Sequence, residues 1–129
     1  MKQMSLMLQA EEAAITIVSI YFLSKYNLGF PVWVWILLFF SPDFSMLGYL
    51  FGNRTGAFVY NLFHHRALAL ALTAMGFWMH LPLLISGGLL LFAHSSFDRI
   101  FGFGLKYGDS FNHTSSGWTG KAKKEGNIL

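Results

Sequence analysis

His94 and Asp98 stand four residues apart in the stretch LLLFAHSSFDRIFGFGLKY, which runs from Leu89 to Tyr107. Any helix containing both puts an imidazole and a carboxylate on one face, and such a pair is a two-ligand face for a divalent cation. Arg99 follows, and then a glycine-punctuated exit, Gly102-Phe103-Gly104-Leu105-Lys106-Tyr107. An ionisable side chain costs roughly 2.5–3.5 kcal/mol or more at the centre of a membrane helix, so crossing alone would not select this polar turn. The plainer alternatives are an i,i+4 hydrogen bond between His94 and Asp98, or an Asp98–Arg99 pair at the interface.

Two further segments offer groups of the same kind. Asp43 lies in Ser41-Pro42-Asp43, where proline removes a backbone hydrogen bond and Ser-Pro suits the start of a fresh helix. Asp43 then sits in the first turn of that helix, whose positive end favours an ionised carboxylate. Alternatively it only caps a kinked span. His64 follows Tyr60 and Asn61 by one turn and shares a side with Ala57, Ala67 and Ala71, a small polar face suited to close packing around a site. Asn61 is expected to act as a ligand or as an orienting partner. His65 and Arg66 read as interfacial, Glu11 and Glu12 as dipole partners opening a helix, and His80 and His113 as lying outside the cluster. Gly87 and Gly88 mark close helix contact. No cysteine is present, which excludes thiolate ligands and disulfides, and no serine has a nucleophile context.

The elements that must position these groups are membrane-grade. Of the 129 residues 54% are hydrophobic and 12% charged, and the apolar residues come in blocks. Four segments emerge: Leu6 to Tyr26, Phe30 to Phe51, Gly56 to Met79, and Leu81 to about Phe103. Short links make neighbours antiparallel. The expectation is an all-α integral membrane bundle of four transmembrane helices over residues 1–107, the second broken at Pro42. Residues 108–129 read as a polar, basic cytoplasmic tail, on the surface or partly disordered. Glu11 and Glu12 argue against a cleavable signal peptide. At about 1.5 Å per residue, Asp43, His64, His94 and Asp98 all fall on the order of 8–14 Å in from the same face. That shared depth is the main sign of a site.

The net charge of +3 is scattered at the ends of apolar runs, a membrane pattern and not a nucleic-acid one. Lys2, Arg54, Arg66, Arg99, Lys106 and the lysines of the tail share one side and Lys25 stands alone on the other, so both termini are expected in the cytoplasm of a bacterial inner membrane.

The motifs SPDFSMLGYLFG (Ser41–Gly52), GAFVYNLFHH (Gly56–His65) and FAHSSFDRIFGFGLKY (Phe92–Tyr107) resemble a bacterial family of small four-span membrane proteins known as a domain of unknown function. The resemblance covers nearly the whole chain. It implies that Asp43, Asn61, His64, His94, Asp98, Arg99 and Lys106 are family-typical, without supplying a reaction. The tail departs from the family, which usually continues Thr-His-Leu-Gly where this chain has Thr114-Ser115-Ser116-Gly117 after His113. A looser likeness, in residue types and order, is to LexA-regulated inner-membrane metal-dependent hydrolases.

The leading expectation is therefore a metal-dependent membrane hydrolase. His64, His94 and Asp98 would hold a divalent metal, zinc foremost, with Asp43 as a further ligand or general base and Arg99 as a catalytic group. The substrate would be a lipid ester or phosphoester near the cytoplasmic leaflet. One rival is a haem-binding electron-transfer protein with His64 and His94 as axial ligands. Another is a non-catalytic proton or ion relay or assembly subunit. Expected partners are membrane lipid and a homo-oligomer or larger membrane complex, with no nucleic acid.

Overall fold

A computed structural model describes residues 2–115, 117 and 118, and the chain is mostly helical. Helix α1 spans Lys2–Lys25 and α2 spans Val32–Phe39; a 3-10 helix, Ser41–Phe51, follows. Then come α3 (Asn53–His64), α4 (Arg66–Trp78) and α5 (Pro82–Ile100). A two-residue antiparallel ribbon, β1 (His113–Thr114) with β2 (Gly117–Trp118), closes the described chain.

Helix α5 is the axis of the fold, packed between α1 and α4. It runs antiparallel to α1, because Gln9 Nε2 donates to the Ile100 carbonyl at 2.9 Å and Ser86 Oγ donates to the Tyr26 carbonyl at the other end. The α4–α5 hairpin turns at His80, which takes φ 55°, and Leu81 N–H bonds the Gly76 carbonyl at 2.8 Å to complete a Schellman closure. Gly88 lets these helices touch: a Cβ there would run into Thr73 and the Ala69 carbonyl. The C-terminus of α5 ends the same way, with Gly102 at φ 85° and Phe103 N–H on the Asp98 carbonyl at 3.0 Å. The glycine-rich exit thereby fixes the last turn that carries Asp98.

The 3-10 helix and α3 form a second hairpin. At 11 residues this 3-10 helix far exceeds the usual three or four. Its threefold repeat aligns Pro42, Ser45 and Gly48 along one edge, with Gly48 against Val59 and Gly56 and the Tyr49 ring over Gly56.

Two helices are long and apolar enough to cross a membrane, Gln3–Lys25 and Val32–Phe51. Only 17% and 11% of those windows are buried against the rest of the described chain. The expected third span is not one helix. It breaks at His65 (φ −86°, ψ 112°), whose Nδ1 caps α4 by accepting from Leu68 N–H at 3.3 Å. The polar run from His94 to Arg99 likewise keeps α5 below the hydropathy of the first two segments. The second segment does break near Pro42, since α2 stops at Phe39 and the 3-10 helix starts at Ser41.

The interior inverts the usual polarity. Buried positions include Thr16, Ser19, Ser86, Ser95, Ser96 and His94, while Ile17, Val18, Phe22, Trp33, Leu37 and Phe44 are exposed. Buried hydroxyls on α1 are satisfied within the helix, Thr16 on the Glu12 carbonyl and Ser19 on the Ile15 carbonyl, both at 2.7 Å. Beyond Ile100 the chain folds back over α3. Tyr107 N–H bonds the His113 carbonyl at 2.8 Å, Thr114 is buried, and the Lys106–Thr114 bridge extends this ribbon across residue 107. The lysines of the tail, Lys121, Lys123 and Lys124, lie outside the described residues.

Candidate metal centre

Three elements bring four ligand groups together. Helix α5 gives His94 and Asp98 from successive turns, the last residue of α3 gives His64, and the first turn of the 3-10 helix gives Asp43. One ligand atom from each lies within 4.8 Å of all the others. His64 Nε2 is 3.2 Å from Asp98 Oδ2 and 3.6 Å from Asp43 Oδ1. His94 Nε2 is 3.0 Å from Asp43 Oδ1 and 3.3 Å from Asp98 Oδ2. Zinc–ligand bonds of 2.0–2.2 Å place neighbouring ligands of a tetrahedron roughly 3.3 Å apart, so these separations suit one small divalent ion. The side chains are 3% (His64), 0% (His94), 14% (Asp98) and 38% (Asp43) exposed, which puts the opening at Asp43.

Both single-ligand elements contribute their residue beside a break in the helix. Asp43 follows the interruption at Phe40, and His64 precedes the one at His65. Irregular backbone at depth is found where it lines a site, because the freed polar groups need partners there.

The tautomer of His64 follows from its neighbours. Its Nδ1 lies 2.8 Å from the Tyr60 carbonyl, which can only accept, so Nδ1 carries the proton. In the neutral ring Nε2 is then a bare lone pair, buried without a hydrogen-bond partner and facing two carboxylates. In that form the nitrogen offers its lone pair to a cation held between it and the carboxylates. A ring nitrogen held by a backbone carbonyl is also the usual support of a metal-ligating histidine. His94 is supported differently: the Phe39 ring meets it edge-on at 5.5 Å, and its Nδ1 is buried without a partner.

Behind His64 stands a stack. Tyr60 lies parallel to the imidazole at 3.8 Å, and Lys106 Nζ sits 4.9 Å from the Tyr60 ring centre and 3.8 Å from that of Phe111. Burial holds the Lys106 ammonium below its ordinary range, and the Asp98 carboxylate draws it partly back up. Asn61 clamps the Lys106 backbone from both sides, Nδ2 to the carbonyl at 2.8 Å and Oδ1 from the N–H at 2.6 Å. The Asn61 amide is thus directed to Lys106 and not to the cluster. Arg99 points elsewhere too: it forms no ion pair with Asp43 or Asp98 and lines a cleft against α1. Glu12 pairs with Arg66 at 2.7 Å, away from the cluster, and Glu11 is exposed. The sequence singled out Tyr60 only as part of a polar face; its one-turn spacing from His64 was the available signal for stacking.

The profile of a domain of unknown function, DUF4260, matches residues 5–118. The chain belongs to this family. No curated protein and no solved structure matches it, so the likeness to LexA-regulated hydrolases has no support beyond residue order. Haem does not suit the cluster. Carboxylate oxygens at 3.0 and 3.3 Å from His94 Nε2 occupy the space a porphyrin plane would need between the imidazoles, whose centres are 5.0 Å apart.

Proposed function

We propose that this DUF4260 protein is a bacterial inner-membrane metalloprotein of four crossings, with both termini cytoplasmic, that hydrolyses an ester or phosphoester of a membrane lipid. The crossings are α1, α2 with the 3-10 helix, α3 with α4, and α5. The inverted polarity of the bundle and the two long apolar helices support that reading. One observation carries the metal: the buried Nε2 of His64, without a hydrogen-bond partner, facing the carboxylates of Asp98 and Asp43.

His64, His94 and Asp98 are the ligands, and zinc is the first choice for a mixed imidazole–carboxylate set. When bound, such an ion supplies Lewis acidity and makes a coordinated water acidic near neutral pH. Asp43, the most open of the four, completes the set or accepts a proton from water arriving at its exposed side. Elemental analysis of the detergent-purified protein tests this. Wild type should carry close to stoichiometric metal and His94→Ala almost none; equal, near-zero metal in both ends the reading. Release of fatty acid or phosphate from mixed lipids, lost on chelation and restored by zinc, tests the reaction.

A cation or proton relay is the second reading. It is favoured by the two helix breaks beside ligands at one level, the arrangement of discontinuous helices at ion sites. Cation-dependent flux into liposomes without lipid turnover would select it.

A further inference from the structure

Arg99 lies on the side of α5 turned away from the cluster, in a cleft of about 610 Å³ between the last turn of α5 and the first three turns of α1. Met4, Ser5, Leu8, Gln9, Glu12 and Ser115 line it with Arg99. The depressions beside Trp35 and beside Phe51 are almost wholly apolar, whereas this one is about half polar.

Among the described residues the Arg99 guanidinium makes no hydrogen bond and no ion pair, although the residue is half-buried. A second guanidinium stands beside it. Arg66 Nη1 reaches Ser96 Oγ at 3.5 Å, and Ser96 is one turn before Arg99 on the same face of α5. Arg66 is balanced by Glu12 at 2.7 Å, so two guanidinium charges meet one carboxylate and the cleft retains a positive charge. The hydroxyls of Ser5 and Ser115 add neutral donors, since Ser115 Oγ accepts from Leu105 N–H and keeps its own hydrogen free. A planar fork of N–H donors at a half-buried position matches phosphate better than a halide or a single carboxylate.

We propose that this cleft binds a phosphate-bearing group, with Arg99 as its principal contact. The position, where α1 begins and α5 ends, is the level of lipid headgroups if these helices cross a bilayer. The same chemistry would also take a free phosphate. The site is separate from the metal cluster and does not depend on it.

The test uses the full chain in detergent, stripped of metal with chelator. Binding of dioctanoyl phosphatidic acid, inorganic phosphate and dioctanoylglycerol is measured by calorimetry. Phosphatidic acid should bind wild type, more weakly as salt rises, and Arg99→Gln should weaken it by about tenfold or more, with Arg99→Lys between. Binding of phosphatidic acid well above inorganic phosphate assigns a lipid headgroup; equal binding of the two, both lost in Arg99→Gln, assigns free phosphate. Dioctanoylglycerol binding as tightly as phosphatidic acid, or Arg99→Gln binding like wild type, overturns the proposal. If Arg99→Gln fails to fold, Glu12→Gln decides. Removing that carboxylate should tighten phosphate binding several-fold, and unchanged binding overturns the site. Because metal is absent throughout, failure of the metal centre would leave these results intact.

Discussion

His94 with Asp98, and Asp109 with His113, are the same two residue types at the same four-residue separation. On α5 the pair is enclosed and meets a second histidine and a second aspartate from other elements. At the ribbon the pair is open to solvent, with His113 Nδ1 on both Asp109 oxygens at 2.9 Å and the Tyr107 ring stacked on His113 at 4.1 Å. In the ribbon the carboxylate is satisfied by its histidine. In the cluster the Nε2 of each imidazole faces both carboxylates at once, so four ligand groups converge where the ribbon has two. The comparison teaches that spacing creates a pair, and convergence with enclosure turns a pair into a cation site.

The largest test of that contrast is metal content. His94→Ala should take bound zinc from about one equivalent to almost none, while His113→Ala should leave it unchanged. Metal lost equally from both variants would mean that the ribbon pair contributes and that enclosure is not the deciding property.

Next in size is the packing that holds α5 in place. Gly88→Ala pushes a methyl into Thr73 and the Ala69 carbonyl, and should cost on the order of 1–3 kcal/mol by denaturant or thermal unfolding. Gly87 has open space beside it, so Gly87→Ala should be neutral or slightly stabilising. Similar losses in the two variants would show that α5 is not seated on α4 through Gly88.

Much of the cluster was legible in the chain. His94 and Asp98 share a regular helix, where a four-residue spacing translates directly into a shared face. Asp43 and His64 could be placed by counting along apolar segments to a common depth, which tolerates errors of a residue or two. Their local backbone could not be read this way. Leu62-Phe63-His64-His65-Arg66 carries no proline or glycine to announce a break, and His65 caps α4 with a ring nitrogen, an uncommon device. An 11-residue 3-10 helix is equally unannounced, because the tertiary fit of Gly48 and Tyr49 against Gly56 selects it. The partnership of Asn61 with Lys106 spans 45 residues and joins two polar groups of no distinctive pattern. The ribbon that seats Lys106 lies in a stretch whose composition reads as tail.

That partnership gives the next prediction. Asn61→Ala releases the Lys106 backbone, and with it the cation over Tyr60, without touching any ligand. Metal affinity should fall by about tenfold, the usual size of an outer-shell loss, while stoichiometry at saturating zinc stays the same. Loss of stoichiometry would make Asn61 part of the metal-holding set and would correct the geometry described above.

The smallest effect belongs to the exposed pair. The hydrogen bond from His113 lowers the Asp109 carboxyl below its ordinary value of 3.8. A carboxylate with a depressed folded value stabilises above its unfolded value, and that contribution disappears as pH falls through the folded one. Acidification below pH 3.8 should therefore loosen the turn that carries Asp109, seen as faster amide exchange at Tyr107 and His113, and the Asp109→Asn variant should lack this response. The amides of α5 should stay protected over the same window, because Phe101, Gly102 and Phe103 N–H close its last turn on main-chain carbonyls that do not titrate. If α5 opened together with the ribbon, the two His/Asp pairs would form one cooperative unit, and the contrast between an enclosed pair and an open one would fail.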